Sequence, residues 1–322
     1  MAVYTEVSDE DLARFLANYD CGALSHFKGI AEGVENTNYL VRTDQGSYIL
    51  TLYEKRVNTA ELPFFLGLME HLAHHGVPCP VPVRDRSRHA LGDLNGRRAA
   101  LITFLDGISV RRPLPGHCRL AGRALAELHL ASADFGMYRA NALGPKGWPP
   151  LFDRFKARAG EIGPGLAHLI ESELAIHADG LPHGLPQGII HADLFPDNVF
   201  FARGALSGLI DFYFACNDAL AYDLGICLNA WCFTPEHTFD IERGRALLAG
   251  YDSVRPLTTS ERAAMPMLAR AASLRFLLTR SYDWLNRPPG AIVTPHNPRD
   301  YVARLEFHRT VVSIKDYGGE FA

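Results

Sequence analysis

The spacing of hydrophobic residues changes along the chain, and this change predicts where strands and helices lie. Residues 39–43 and 47–53 are rich in β-branched and aromatic side chains and flank a polar turn at residues 44–46, which is typical of a β-hairpin. From residue 117 onward, apolar side chains recur three and four positions apart, as in residues 117–130, which indicates amphipathic helices. The pattern therefore predicts a β-rich first third and a mostly helical remainder.

Two helices are predicted within the β-rich part. Residues 9–17 follow Ser8, a good N-cap, and place acidic side chains in the first helical turn, where the helix dipole favours them. Residues 61–75 have helical spacing with Pro63 in the first turn. Further strands are predicted at residues 89–91, 98–104, 187–190, 199–201 and 206–212, one or two helices at 152–176, and further helices at 221–233, 241–251, 261–285 and 299–314.

Composition and charge limit the classes of protein that fit the chain. Its 322 residues are 48% hydrophobic and 21% charged, as is usual in globular proteins. A formal net charge of −4 gives no basic field for nucleic acid, so that partner is not expected. No run approaches the roughly 18 apolar residues of a membrane span, and residues 1–10 are acidic rather than signal-like. The six scattered cysteines suit a reducing compartment, so we expect a cytoplasmic protein with no membrane partner.

The segment from His191 to Asn198, followed by Asp211, carries the most specific chemical pattern of the chain. Four residues separate Asp193 from Asn198, and Asp211 follows a strand-like apolar run. This order is typical of phosphoryl-transfer enzymes of the protein-kinase type. There, Asp193 would accept the proton of an attacking hydroxyl, His191 would support the loop, and Asn198 and Asp211 would hold Mg²⁺ at the phosphates of ATP. The alternative is an ordinary turn rich in Asp, Pro and Asn, but the flanking strands favour the catalytic interpretation.

The elements and this motif together predict an α+β, two-lobed protein-kinase-like fold, with a β-rich N-terminal lobe and a mostly helical C-terminal lobe. Residues 1–104 would form the nucleotide-binding lobe, and residues 105–322 the helical lobe that carries the catalytic and substrate residues. Leu105-Asp106-Gly107 is the predicted crossing point between them.

The nucleotide-binding residues are less clearly marked. Gly29 and Gly33 suit a loop over the phosphates of a nucleotide, because glycine lets backbone N–H groups approach closely. The next strand should carry a phosphate-binding lysine, but that position is Thr51. Lys55 is the candidate replacement, with a solvated strand end as the alternative, and Glu61 is its candidate partner. Without the lysine, a nucleotide-binding module that lacks turnover is a rival class, which the complete set of catalytic residues disfavours.

These residues resemble the aminoglycoside-phosphotransferase and choline-kinase-like branch of the kinase fold. Ala192 stands where protein kinases have arginine, and the chain runs from Asp211 to Asp223 without an activation segment. Within that branch the chain is most similar to the homoserine kinases of this fold, over about residues 3–313. The similar stretches are residues 33–39, 48–54, 61–65, 191–198, 210–213, 223–231 and 275–284.

The resemblance implies transfer of the γ-phosphate of ATP to the side-chain hydroxyl of L-homoserine, on the route to threonine. Homoserine is a zwitterion, so its pocket needs a cation for the carboxylate and an anion for the ammonium group. The candidate substrate residues are Asp218, Tyr222, Asp223, Trp231, Arg275, Arg280 and Asp283. From the residues alone the acceptor stays open: choline, ethanolamine, hydroxylysine, methylthioribose and aminoglycosides are alternatives. A monomer and a homodimer are both compatible with the sequence.

Overall fold

A computed structural model describes residues 5–30, 36–54, 58–287 and 296–320. The chain divides into two compact units. The first comprises Met1–Gly107 and Gly208–Ile210, and the second comprises Ile108–Ser207 and Asp211–Ala322.

The first unit is built on a five-stranded antiparallel sheet with the strand order β1-β2-β3-β5-β4. The predicted hairpin is confirmed, since Leu40 pairs with Ile49 across it. The strand predicted at residues 89–91 is wrong, because the paired segment begins at Gly92. The elements are α1 (Asp9–Leu16), β1 (Leu24–Ile30), β2 (Asn36–Thr43), β3 (Ser47–Tyr53), α2 (Leu62–His74), β4 (Gly92–Leu94) and β5 (Arg97–Thr103).

Helix α1 closes one face of this sheet. The Ser8 side chain accepts a hydrogen bond from the backbone N–H of Asp11, as expected of an N-cap. Leu12 and Phe15 on the helix then pack into one buried cluster with Val41 and Leu50 of the sheet. Burial of these aliphatic and aromatic side chains is the main stabilisation of the first unit.

The second unit is mostly helical and contains two small pairs of strands, β6 with β9 and β7 with β8. Its elements are α3 (Pro115–Ala131), α4 (Trp148–Asp153), α5 (Leu166–Ile176), β6 (Gln187–Ile190), β7 (Val199–Ala202), β8 (Ala205–Leu209), β9 (Cys216–Ala219), α6 (Leu220–Trp231), α7 (Ile241–Asp252), α8 (Thr259–Leu285) and α9 (Arg299–Thr310). The last residues of β8 belong to the first unit.

Two predictions for the second unit are corrected by the structure, and one strand was missed. The strand predicted at residues 206–212 ends at Leu209, because Asp211 has a left-handed backbone with φ of 63° and a short 3₁₀ turn follows it. The helix predicted at residues 299–314 ends at Thr310, since Val311 is extended. Strand β9 was not predicted, because its residues, Cys-Asn-Asp-Ala, have no strand-like pattern.

Two glycines allow α3 and α7 to approach each other closely. A Cβ at Gly122 would lie 2.1 Å from the carbonyl oxygen of Leu247, and one at Gly250 would lie 2.1 Å from that of Arg119. Neither position can therefore hold a side chain without moving a helix. The contact places His129 of α3 within hydrogen-bonding distance of Tyr251 of α7, at 2.8 Å.

A buried histidine ties four segments of the second unit together. Asn229 of α6 donates to the carbonyl oxygens of Gly225 and Ala269, so its Oδ1 atom must accept from Nε2 of His308 at 3.1 Å. The Nδ1 atom of His308 then accepts the hydroxyl of Tyr317 at 2.7 Å. Burial, with smaller effects of Arg304 and Arg270, lowers the pKa of His308 to about 3. The imidazole is therefore neutral in the folded protein.

This neutral imidazole should make stability depend on pH. Below pH 6.5 the unfolded chain binds a proton that the folded protein does not, so the contribution of His308 is complete above pH 6.5 and is lost as pH falls towards 3. Between pH 7.5 and 5.0 we expect this residue to cost about 2 kcal/mol of unfolding free energy. In urea unfolding, His308→Asn should lose about 2 kcal/mol less unfolding free energy than the wild type between pH 7.5 and 5.0, whatever the absolute stability of the variant. A His74→Asn control, at an exposed position, should keep the wild-type loss; an equal loss in His308→Asn would contradict the prediction.

Candidate active site

The loop between β6 and β7 positions Asp193 and Asn198 next to each other. Ala192 has a positive φ of 63°, which is uncommon for a residue with a side chain and turns the chain sharply before Asp193. The side-chain nitrogen of Asn198 donates to the backbone oxygen of Asp193 at 2.9 Å and lies 3.5 Å from its Oδ2 atom. The Asp193 carboxylate is thereby held against the Asn198 amide.

The donor atoms around this loop fit a hard divalent cation. Because the nitrogen of Asn198 is directed to Asp193, the Oδ1 atom of the same amide remains for a ligand. Asp211 supplies a carboxylate from a left-handed backbone position at the start of a 3₁₀ turn. Amide and carboxylate oxygens are the ligands that Mg²⁺ and Ca²⁺ prefer, so Asn198 and Asp211 fit a metal of that type.

The environment of Asp193 suits a general base. Burial raises the pKa of Asp193 to about 7, with Arg275 opposing the shift and the negative charge of Asp211 adding to it. A base whose pKa lies near neutral pH combines adequate basicity with a substantial ionised fraction. His191 is fully buried, and its Nδ1 atom accepts the backbone N–H of Asp193 at 3.3 Å, a contact through which it can support the loop.

Asp223 binds the backbone of the loop through its carboxylate. Its Oδ2 atom accepts the N–H of His191 at 2.7 Å, and its Oδ1 atom accepts the N–H of Ala192 at 3.0 Å. The side chain of Asp223 is 0% exposed. The prediction that Asp223 contacts substrate is therefore wrong, because its oxygens are buried and bonded within the protein.

A chain of polar contacts continues from Asp223 across the second unit. Nε2 of His129 lies 3.2 Å from Oδ2 of Asp223, and Nδ1 of His129 contacts the Tyr251 hydroxyl. Burial raises the pKa of Tyr251, so the hydroxyl remains protonated and can donate to His129. Arg255 donates to the same hydroxyl at 3.0 Å and pairs with the buried carboxylate of Glu261 at 2.9 Å. The loop is thus connected to α3, α6, α7 and α8.

Arg275 and Trp231 also bind the loop rather than face a ligand. Arg275 is 4% exposed and donates to the carbonyl oxygen of Ala192 at 2.6 Å. Trp231 is 0% exposed and donates from Nε1 to the carbonyl oxygen of Leu194 at 2.8 Å. Tyr222 is likewise fully buried. Spacing on helices α6 and α8 placed these residues near the loop. The bonds of Arg275 and Trp231 lie within the protein, which contradicts substrate contacts for these two, whereas a substrate contact of Tyr222 stays a prediction.

Three other predicted substrate residues are more accessible. Asp218 in β9 is half-buried, and its Oδ2 atom accepts the side-chain N–H of Asn141 at 2.7 Å. Asp283 is exposed near the end of α8. Arg280 is half-buried, and its guanidinium carbon lies 5.5 Å from the ring centre of Phe195 in the loop. Arg280 thus contacts the catalytic loop through the Phe195 ring.

The predicted nucleotide residues lie in the first unit. Gly29 is part of strand β1, opposite Tyr39, so the prediction that it lies in a loop is wrong. Gly33 and Lys55 fall outside the described residues. Glu61 ends a short 3₁₀ turn and accepts the side-chain N–H of Asn58 at 3.1 Å.

The position expected to hold a lysine carries a buried hydroxyl. Thr51 is 2% exposed and donates to Oδ1 of Asn38 at 2.8 Å. Strand β3 therefore presents no charge at this position.

A buried loop that carries Asp193 and Asn198, with Asp211 after the next strand pair, defines the class of kinase-like phosphotransferases. The chain belongs to the phosphotransferase enzyme family, whose family model matches residues 26–257. Among curated proteins, a homoserine kinase of Xanthobacter autotrophicus is 59% identical over 318 residues, which cover 99% of each chain. A homoserine kinase of Chelativorans sp. is 57% identical over 322 residues, which cover 100% of each chain. The resemblance inferred from the motifs is confirmed, and with it an ATP-dependent kinase.

Solved structures confirm the predicted kinase-like fold. A spectinomycin phosphotransferase in complex with ADP and spectinomycin aligns with a TM-score of 0.68 over 97% of this chain and 98% of that chain, at 12% identity. A microcompartment-associated aminopropanol kinase aligns with a TM-score of 0.60 over 94% of both chains, at 18% identity. At such identities the likeness concerns the fold.

Among the described residues, no helix is both long enough and apolar enough to cross a membrane.

Asp223→Asn should separate loop positioning from folding. Asparagine offers one oxygen and one NH₂ group, so a backbone N–H of His191 or Ala192 would face a donor and remain unsatisfied, at a cost of about 1–3 kcal/mol. We expect kcat to fall about 10²-fold through displacement of Asp193, while a fluorescent ATP analogue still binds.

The matched control is Glu242→Gln, which makes the same carboxylate-to-amide change at an exposed site on α7. It should keep wild-type kcat. Wild-type turnover in folded Asp223→Asn would show that the carboxylate is dispensable for the loop.

Proposed function

We propose that this chain transfers the γ-phosphate of ATP to the hydroxyl of L-homoserine and releases O-phospho-L-homoserine and ADP. Curated relatives of that activity align over essentially the full chain. The structural observation that best supports phosphoryl transfer is the half-buried carboxylate of Asp193, held against Asn198 and raised in pKa to about 7.

Asp193 would orient the acceptor hydroxyl and take its proton. The hydroxyl oxygen forms a bond to the γ-phosphorus of ATP, the bond from that phosphorus to the β–γ bridging oxygen breaks, and the proton moves to Asp193. Because the transition state for phosphoryl transfer is loose, catalysis rests on positioning and on stabilisation of charge rather than on a strong base. The contacts of Asp223 and Arg275 with the loop backbone serve this positioning.

Mg²⁺ is the metal that we propose for Asn198 and Asp211. When bound, such an ion offsets negative charge on the phosphate oxygens. The oxygen donors of both residues fit it, and the left-handed backbone at Asp211 is a strain that a functional role would explain. Contacts with the nucleotide remain predicted for Gly29, Gly33, Lys55 and Glu61. The cytoplasmic location and the oligomeric state, a monomer or a homodimer, also remain predictions.

The charges beside the loop favour an acceptor that carries a carboxylate. Arg275 and Arg280 both act on Asp193 electrostatically, since each lowers its pKa. A polycationic acceptor such as an aminoglycoside would be repelled by these charges, whereas a carboxylate would be attracted. This observation supports an amino acid over an aminoglycoside.

Steady-state kinetics with ATP and Mg²⁺ should test the acceptor. L-homoserine is expected to give the highest kcat/KM in a panel with L-serine, L-threonine, choline, ethanolamine and an aminoglycoside. A higher kcat/KM for another acceptor would overturn the proposal. Binding of ATP without phosphorylation of any acceptor would instead support a nucleotide-binding module.

Asp193→Asn should remove the proton acceptor while leaving the loop intact, because the backbone contacts of Ala192 and His191 do not involve this side chain. We expect kcat to fall by about 10³-fold, within the range for loss of a general base together with its positioning. The KM for ATP should change little. An Asp197→Asn control changes an exposed loop carboxylate nearby; a variant at 193 with near-normal turnover would exclude Asp193 as the base.

A further inference from the structure

Within the described part of the chain, two arginines that share one aromatic cluster have no acidic partner. Arg280 on α8 and Arg304 on α9 are half-buried, and their recorded contacts are all with aromatic rings. Among the residues that the structure describes, no carboxylate pairs with either guanidinium. The Nε atom of Arg304 is buried without a hydrogen-bond partner.

Neighbouring arginines on the same helices are paired. On α8, Arg270 binds both carboxylate oxygens of Glu173, at 2.6 and 2.7 Å. On α9, Arg309 lies 3.5 Å from the same carboxylate. Since a partly buried guanidinium without a partner is costly, the two unpaired arginines require a different explanation from the paired ones.

An aromatic cluster of Phe195, Phe276 and Tyr301 carries both guanidinium groups. The guanidinium carbon of Arg280 lies 4.6 Å from the ring centre of Tyr301, and that of Arg304 lies 4.5 Å from it. The ring centres of Phe195 and Phe276 are 5.0 Å apart, and those of Phe276 and Tyr301 are 5.3 Å apart. Because Phe195 is two residues after Asp193, the cluster fixes both charges relative to the general base.

Stacking leaves the edges of the guanidinium groups available. An arginine that lies over a ring uses its face for the ring and can direct its N–H groups at a second ligand in the plane. A carboxylate matches this fork geometry and accepts bidentate hydrogen bonds. Arg275 is not part of this set, because it is already bound to the carbonyl oxygen of Ala192. The hydroxyl of the fully buried Tyr301 also lacks a partner, so the polar groups of this cluster are incompletely satisfied without a ligand.

We propose that Arg280 and Arg304 together bind the α-carboxylate of the acceptor and thereby select acceptors that carry a free carboxylate beside the hydroxyl. This inference rests on the proposed function and adds Arg304, which the sequence motifs did not indicate. The clamp holds the end of the acceptor remote from the reacting hydroxyl, so it acts through binding and orientation rather than through proton transfer.

The test compares homoserine with acceptors that lack its carboxylate. 3-Aminopropan-1-ol is homoserine without the carboxyl group, and homoserinamide keeps the size but not the charge. In the wild-type enzyme we expect kcat/KM for homoserine to exceed that for either analogue by about 10²-fold. Arg280→Gln and Arg304→Gln should each lower kcat/KM for homoserine by about 10-fold or more, and leave 3-aminopropan-1-ol within about threefold. The KM for ATP should not change.

Arg309→Gln is the matched control, since it makes the same substitution on α9 at an arginine paired with Glu173; it should keep the wild-type preference. If a glutamine variant does not fold, Arg280→Lys and the wild-type comparison with homoserinamide still decide the question. Equal losses for homoserine and 3-aminopropan-1-ol would overturn the clamp and leave the proposed function standing. Wild-type enzyme that fails to phosphorylate homoserine would overturn the proposed function, and the clamp with it.

Discussion

The carboxylate of Asp223 is the contact on which the catalytic loop depends. Successive N–H groups at His191 and Ala192 point to its two oxygens, and no water can replace a partner that is 0% exposed. The positive φ at Ala192 is an unfavourable backbone state, which persists when surrounding contacts determine it. Those contacts come from Asp223, which accepts the N–H groups of His191 and Ala192, and from Arg275, which donates to the carbonyl oxygen of Ala192. The direction of Asp193 follows from them.

The three arginines near the loop and its aromatic cluster divide into one that binds the protein backbone and two for which we propose a ligand. Arg275 is nearly inaccessible and satisfies a backbone carbonyl, so its charge acts on Asp193 in every state of the enzyme. Arg280 and Arg304 are held by ring stacking, which fixes position without neutralising charge. A ligand carboxylate can therefore be bound by preorganised cations whose side-chain entropy is already lost on folding.

Local sequence spacing was sufficient for the parts of the site that lie on one continuous segment. The relation of Asp193 to Asn198 is set within a single loop, and the hairpin around residues 44–46 is set by its own turn, so both could be predicted. The role of Asp223 could not, because a buried carboxylate on a helix has the same local pattern as an accessible one. Arg304 was missed for a related reason: its proposed role depends on Arg280 of α8, which shares the Tyr301 ring with it only through the packing of α8 against α9. Strand β1 is polar and lies at the edge of its sheet. It therefore lacks the alternation of apolar and polar residues by which a half-buried strand is predicted.

Thr51 limits where positive charge for the phosphates can come from. Its hydroxyl is buried and bonded to Asn38 on the neighbouring strand, so a lysine at this position would have to break that contact and place an ammonium group in a buried setting. The presence of threonine in place of lysine at this position is therefore part of the packing of the sheet and involves more than one side chain. Under the proposed function, phosphate charge would then be offset by a cation from another segment and by the metal proposed for Asn198 and Asp211. Under the proposed function, phosphoryl transfer would rest on the loop of the second unit. The choice of acceptor would rest on Arg280 of α8, which this loop contacts through Phe195, and on Arg304 of α9, which shares the Tyr301 ring with Arg280.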